Sequence, residues 1–274
     1  MIAQREAEGG KQVPAVARVL DALVVAGHQI RIFGRRYHPY FVAWDCCVAA
    51  ALGVIVWYTT YVSSNALWRV LLQFLLLLLG YEAYLLAKFK LRGKRSRSFM
   101  QDTLFFGLPC YLLSGGLLGL SLRSSLDLFA LVIPTMLAFV RFGCFFGGCC
   151  YGKPAAWGVH YPAHLLKPVT TWRRFTPGPV PQGRMVPIQL IESLVSVLIV
   201  FALVITAHLN RVPSGRLLPL FFLSYGSYRF VADFYRTVSV RPRIGRWSEA
   251  QVVSIVVVVL SAATLALANF VQIF

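Results

Sequence analysis

Acidic residues are scarce here: 10 Asp and Glu among 274 residues. All charged residues together make up 14% of the chain, against roughly 25% in a soluble domain. So few charges cannot cover a water-exposed surface, which excludes an ordinary soluble globular protein. Internal repeats are also missing, which argues against a transporter built from two duplicated bundles. No pair of Cys-x2-Cys motifs occurs, so the six cysteines do not form a zinc ribbon.

What the chain has instead is apolar length. Hydrophobic residues make up 58%, and the mean hydropathy is +0.67. A helix needs roughly 20 mostly apolar residues to cross a bilayer. Seven stretches meet that need: Phe41–Val62, Ala66–Ala87, Thr103–Leu120, Leu126–Phe146, Pro187–Leu209, Leu217–Phe234 and Ala250–Phe270. The third and sixth are the weakest. The expected fold is an all-α integral membrane protein, a bundle of about seven transmembrane helices. A small extramembrane cap, about residues 149–186, joins the fourth and fifth. That segment is rich in proline and basic residues and holds no acid, so it is too polar to span and too long for a turn.

Residues 1–40 are expected to form an N-terminal interfacial segment, with residues 41–274 as the membrane domain. The first ten residues are polar, which predicts no cleavable signal peptide. Val13–Val25 is short and interrupted by Arg18 and Asp21. It reads as an amphipathic helix with Val13, Val16, Leu20, Leu23 and Val24 on one face, lying in the interface. Lys and Arg number 27. They sit mostly in short loops between apolar runs, so they point to membrane orientation and anionic head groups rather than nucleic acid. The loop charges place the cap side in the cytoplasm.

Ionisable groups at bilayer depth cost a few kcal/mol and mark candidate sites. Arg141 lies near the end of the fourth stretch, before glycines 143, 147 and 148. Gln189 and Glu192 open the fifth. Arg229 and Asp233 share a face of the sixth at i, i+4. Two arginines on separate helices suit one phosphate, because guanidinium forks bind its oxygens in pairs. Asp45 and Glu82 are near span ends and read as interfacial, and Arg236 reads as a snorkelling side chain. The cluster Cys144-x4-Cys149-Cys150, with His160 and His164 nearby, leaves a metal site or a redox-active pair open, but reads first as small residues packing against glycines, with room for one disulfide; no metal or cofactor is expected.

Three blocks carry a resemblance. Arg141-Phe-Gly-Cys-Phe-Phe-Gly-Gly-Cys-Cys-Tyr-Gly-Lys-Pro154 leads into Trp157-Gly-Val-His-Tyr-Pro162. Pro187-Ile-Gln-Leu-Ile-Glu192 and Tyr225-Gly-Ser-Tyr-Arg-Phe-Val-Ala-Asp-Phe-Tyr-Arg236 follow in order. Together they resemble the prolipoprotein diacylglyceryl transferase family, in a divergent variant carrying G-C-F-x-x-G-C-C-Y-G-K-P. The resemblance runs from about Leu126 to the C-terminus.

It implies transfer of diacylglycerol from phosphatidylglycerol to a prolipoprotein lipobox cysteine in the bacterial inner membrane. It implies that Arg141 and Arg229 hold the head group, that Gly143, Gly148 and Gly152 shape the pocket, and that Gln189, Glu192, Tyr225 and Asp233 orient the arginines. It also implies a cap outside the cytoplasm, against the loop charges. The family's S-F-H-G-G block falls on Ser98-Phe-Met-Gln-Asp102, which has no His; Asp102 or His160 then stands as the base. Leu113-Ser-Gly-Gly116 is another match, with Ser114 in the His position. Two other readings share this motif set: a phospholipid-dependent transferase with another acceptor, and a non-catalytic lipid-binding subunit of a membrane complex.

Overall fold

The computed structural model describes residues 13–29, 31–32, 34–92, 102–166, 169–170, 174–175, 180–209, 215–236 and 243–273. Ser98–Gln101 and parts of the cap lie outside the described residues. In chain order the elements are α1 (Ala15–Gln29), β1 (Arg31–Ile32), β2 (Arg35–Arg36), α2 (Pro39–Tyr61) and α3 (Leu67–Arg92). A π-helical turn (Thr103–Gly107) runs into α4 (Leu108–Leu117). Then come α5 (Leu122–Phe146), β3 (Pro154–Val159), β4 (Val169–Thr170), β5 (Arg174–Phe175), α6 (Ile188–His208) and α7 (Leu217–Asp233). β6 (Arg243–Ile244), β7 (Trp247–Ser248) and α8 (Glu249–Ile273) close the chain.

The protein is an all-α integral membrane protein. All seven apolar stretches are helical. Five of them, in α2, α3, α5, α6 and α8, are long and apolar enough to cross a membrane. The two weakest stretches are shorter: Thr103–Leu117, and α7 with 17 residues. The third ends early because Gly119 takes a positive φ of 68°, the left-handed conformation that stops a helix.

The chain divides into two compact units. One contains residues 46–138, 194–234 and 241–274. Its core holds Leu128–Val132 of α5, each at most 1% exposed, with Ile55, Tyr58, Val70, Phe74, Tyr111 and Phe221. A helix segment buried on every side must be apolar on every side. Asp127 is the exception beside this run. It is 3% exposed and accepts hydrogen bonds from the backbone N–H groups of Gly215 at 2.8 Å and Leu217 at 3.0 Å. The carboxylate thereby satisfies orphan donors at the start of α7 and complements its dipole.

The other unit contains residues 1–45, 139–193 and 235–240. The N-terminal helix belongs here with the cap. Ala17, Leu20 and Val24 are buried, whereas Val16, Val19 and Leu23 are exposed. Leu20 and Val24 of the expected apolar face thus meet protein, together with Ala17, and Val16 and Leu23 do not. The reason is Asp21: it pairs with Arg184 at 2.8 Å and accepts from the His160 backbone N–H at 2.8 Å. The acid that interrupts the apolar pattern is what fastens α1 to β3. Val24 and Leu20 then pack with Phe145, Phe146, Val159, Tyr161 and Leu166.

Candidate active site

In the cap unit, Arg141 comes from the last turns of α5 and Glu192 from the first turns of α6. Glu192 is fully buried, and the Arg141 Nε lies 2.9 Å from its Oε2. The same oxygen accepts a hydrogen bond from Arg236 Nη2. Arg236 does not snorkel: it is 4% exposed, and its backbone bridges to Gly152. One buried carboxylate thus holds two guanidiniums. The signal for Arg236 was present in the sequence, because Arg229, Asp233 and Arg236 repeat at helical spacing.

The loop after α5 closes against this ion cluster. Gly148 has φ 61° and Cys150 φ 59°, so two left-handed residues fold Gly147–Gly152 back on itself. For Cys150, with a β-carbon, that conformation is strained. Gln189 holds the loop: its Nε2 donates to the Cys149 carbonyl at 2.7 Å and contacts Tyr161 Oη at 3.3 Å. The Sγ atoms of Cys144, Cys149 and Cys150 lie within 4.8 Å of one another. Hydrogen bonds from the other two thiols, and then the charges of Arg141 and Arg236, hold the Cys150 thiol well below its ordinary range.

The glycines meet protein, not open space. A β-carbon on Gly143 would lie 2.8 Å from Ala43 Cβ. On Gly148 it would lie 2.2 Å from Leu166 Cδ2, and on Gly152 2.6 Å from the Tyr235 carbonyl oxygen. They let α2, the cap and residue 235 approach the arginine loop.

The other unit holds Arg229 and Tyr225, on α7. Both line an open apolar groove with Leu104, Phe222, Gly226, Ala250, Val253, Ser254 and Val257. Arg229 is 8% exposed. Its Nη2 lies 3.6 Å from Asp233 Oδ1, while Nη1 is buried without a hydrogen-bond partner among the described residues. Asp233 is held in turn by the Ser248 hydroxyl. Ser248 also caps α8 reciprocally with Gln251, by bonds of 3.0 and 3.1 Å.

Asp102 sits just before the π-helical turn. It pairs with Lys88 at 2.5 Å and accepts from Tyr84 Oη at 2.9 Å. Ser114 donates to the Tyr111 carbonyl within its own helix. His160 is half-buried, on the cap strand's end beside Asp21.

A phosphatidylglycerol–prolipoprotein diacylglyceryl transferase of Stenotrophomonas maltophilia is 34% identical over 122 residues, 41% of this chain and 41% of that protein. One of Idiomarina loihiensis is 31% identical, over 40% of this chain and 36% of that protein. One of Clostridium tetani is 28% identical, over 49% and 51%. The chain thus spans about two fifths of the length of the first two relatives. The model of the family, prolipoprotein diacylglyceryl transferase, matches residues 104–267. That stretch is more than half of the chain and takes in both arginine centres, so the chain belongs to the prolipoprotein diacylglyceryl transferase family.

Proposed function

We propose that the protein is a phosphatidylglycerol–prolipoprotein diacylglyceryl transferase of the bacterial inner membrane. It would move diacylglycerol from phosphatidylglycerol to a lipobox cysteine thiol, with glycerol phosphate leaving. The observation that carries this reading is Arg229, which lines an apolar groove and whose Nη1 is buried with no hydrogen-bond partner among the described residues. A lipid supplies both things such a groove lacks: phosphate oxygens for the guanidinium and acyl chains for the apolar walls. Asp233 and Ser248 keep that arginine in place.

Arg141 suits a phosphodiester for a related reason. Glu192, which it shares with Arg236, fixes its orientation. Fixed positive charge in a place with little water stabilises the negative charge that builds on a departing phosphate.

Labelled phosphatidylglycerol and a lipobox peptide, incubated with the detergent-solubilised protein, test the reading. Arg141→Ala is expected to lower transfer about a hundredfold or more. Unchanged transfer in that variant, or none from the well-folded wild type, would count against it. A second reading, a lipid-binding subunit of a membrane complex, draws on Asp102, which Lys88 and Tyr84 already engage. It calls for a stoichiometric partner on purification and no turnover.

A further inference from the structure

The sequence pattern reads first as cysteines packing against glycine. The geometry points further. We propose that Cys144, Cys149 and Cys150 form a three-thiolate site for zinc, whose fourth position takes the acceptor thiol and activates it as a thiolate.

The ligand set comes first. Three Sγ atoms within 4.8 Å of one another are near the roughly 3.8 Å spacing of a tetrahedron with Zn–S bonds of about 2.3 Å. Small side-chain rotations close the gap. Three protein ligands leave one position open, the arrangement of catalytic rather than structural zinc. Soft thiolates select thiophilic ions over magnesium or calcium.

Charge points the same way. Zinc with three thiolates carries one net negative charge. The guanidiniums of Arg141 and Arg236 both act on Cys150 through their charge, which suits a centre of net negative charge. Backbone geometry supports a built site as well. Cys150 is held at φ 59°, a strained conformation for a residue with a β-carbon, in the loop where the three sulfurs gather. Gln189, bonded to the Cys149 carbonyl at 2.7 Å, is the kind of outer support that fixes ligand direction. Cys150 is exposed, which gives an entering thiol access.

The thiol-activating role rests on the transferase reading above; the metal site itself does not. A thiol that binds zinc gives up its proton to water, so the ion replaces a general base. The zinc-held sulfur then attacks the glyceryl carbon bearing the phosphodiester oxygen. A C–S bond forms and a C–O bond breaks. The electron pair leaves on glycerol phosphate, and the neutral thioether dissociates from the metal.

The test uses the reduced full-length protein in detergent, stripped with a chelator and titrated with zinc alone. About one zinc per chain is expected, lost in Cys149→Ser and Cys144→Ser but kept in Cys46→Ser. Cobalt-loaded protein should show thiolate charge-transfer absorption. A lipobox peptide should change that absorption, and the same peptide with serine for cysteine should not. Diacylglyceryl transfer should fall about a hundredfold on chelation and return with zinc, a comparison that needs no variant. No zinc binding by the reduced wild type overturns the proposal even if transfer is seen. Zinc binding with transfer unchanged by chelation overturns the activating role. If zinc binds, the peptide spectrum changes and no transfer occurs, the ion's thiol chemistry stands and the transferase reading fails.

Discussion

Glu192 is the residue on which the cap-side centre turns. It is fully buried and shared by two arginines. Glu192→Gln removes the negative charge that those two guanidiniums share. Leaving a buried charge uncompensated costs about 3–5 kcal/mol, so the variant should melt well below wild type in a detergent thermal-unfolding assay. Glu192→Asp should recover part of the loss. Cys150 offers a second reading at this scale. The thiolate is the reactive form, and the neighbouring thiols and arginines lower its pKa. In metal-free protein, its alkylation should therefore persist to lower pH than that of an ordinary small-molecule thiol. Arg141→Gln should move the profile back up. A Cys150 profile centred in the ordinary thiol range would contradict the arrangement.

Helices α7 and α8 show how an element builds the groove. Gly226 lies where they meet: a β-carbon there would be 2.8 Å from Val258 Cγ2 and 3.2 Å from Val257 Cγ2. Gly226→Val should force the pair apart at about 1–3 kcal/mol and disturb the groove walls. Thermal unfolding and retained lipid on purification measure the two effects. The start of α8 adds a separate device. Ser248 caps it and also holds Asp233. Ser248→Ala should cost about 1 kcal/mol as a lost cap. It should also loosen Arg229 through Asp233, seen as weaker phospholipid retention; a stability loss with full retention would separate the cap from the site.

At the scale of the whole molecule, five helices can each cross a bilayer, and the net charge is +17. A basic protein held only by anionic head groups is released when charge is screened or reversed. This one should stay in the membrane pellet through alkaline carbonate extraction and high salt. Release into the supernatant would contradict an integral fold. The seven apolar stretches were readable in advance because span length and hydropathy are local properties. The two shortest were the weakest in sequence for the same reason: Gly119 and the short run before Phe234 limit them.

Composition, apolar run length and three motif blocks sufficed to identify a helical membrane protein and to single out Arg141, Gln189, Glu192, Arg229 and Asp233. Each is a property of neighbours along the chain. Partner choice is not. Asp21 pairs with Arg184, Arg236 joins Arg141 on Glu192, and Asp127 caps α7, all between residues far apart in sequence. Electrostatic pairing depends on distance in space, and only packing sets that distance. The cysteines make the same point. Their spacing matched no metal motif, yet a loop with two left-handed residues gathers three sulfurs within 4.8 Å.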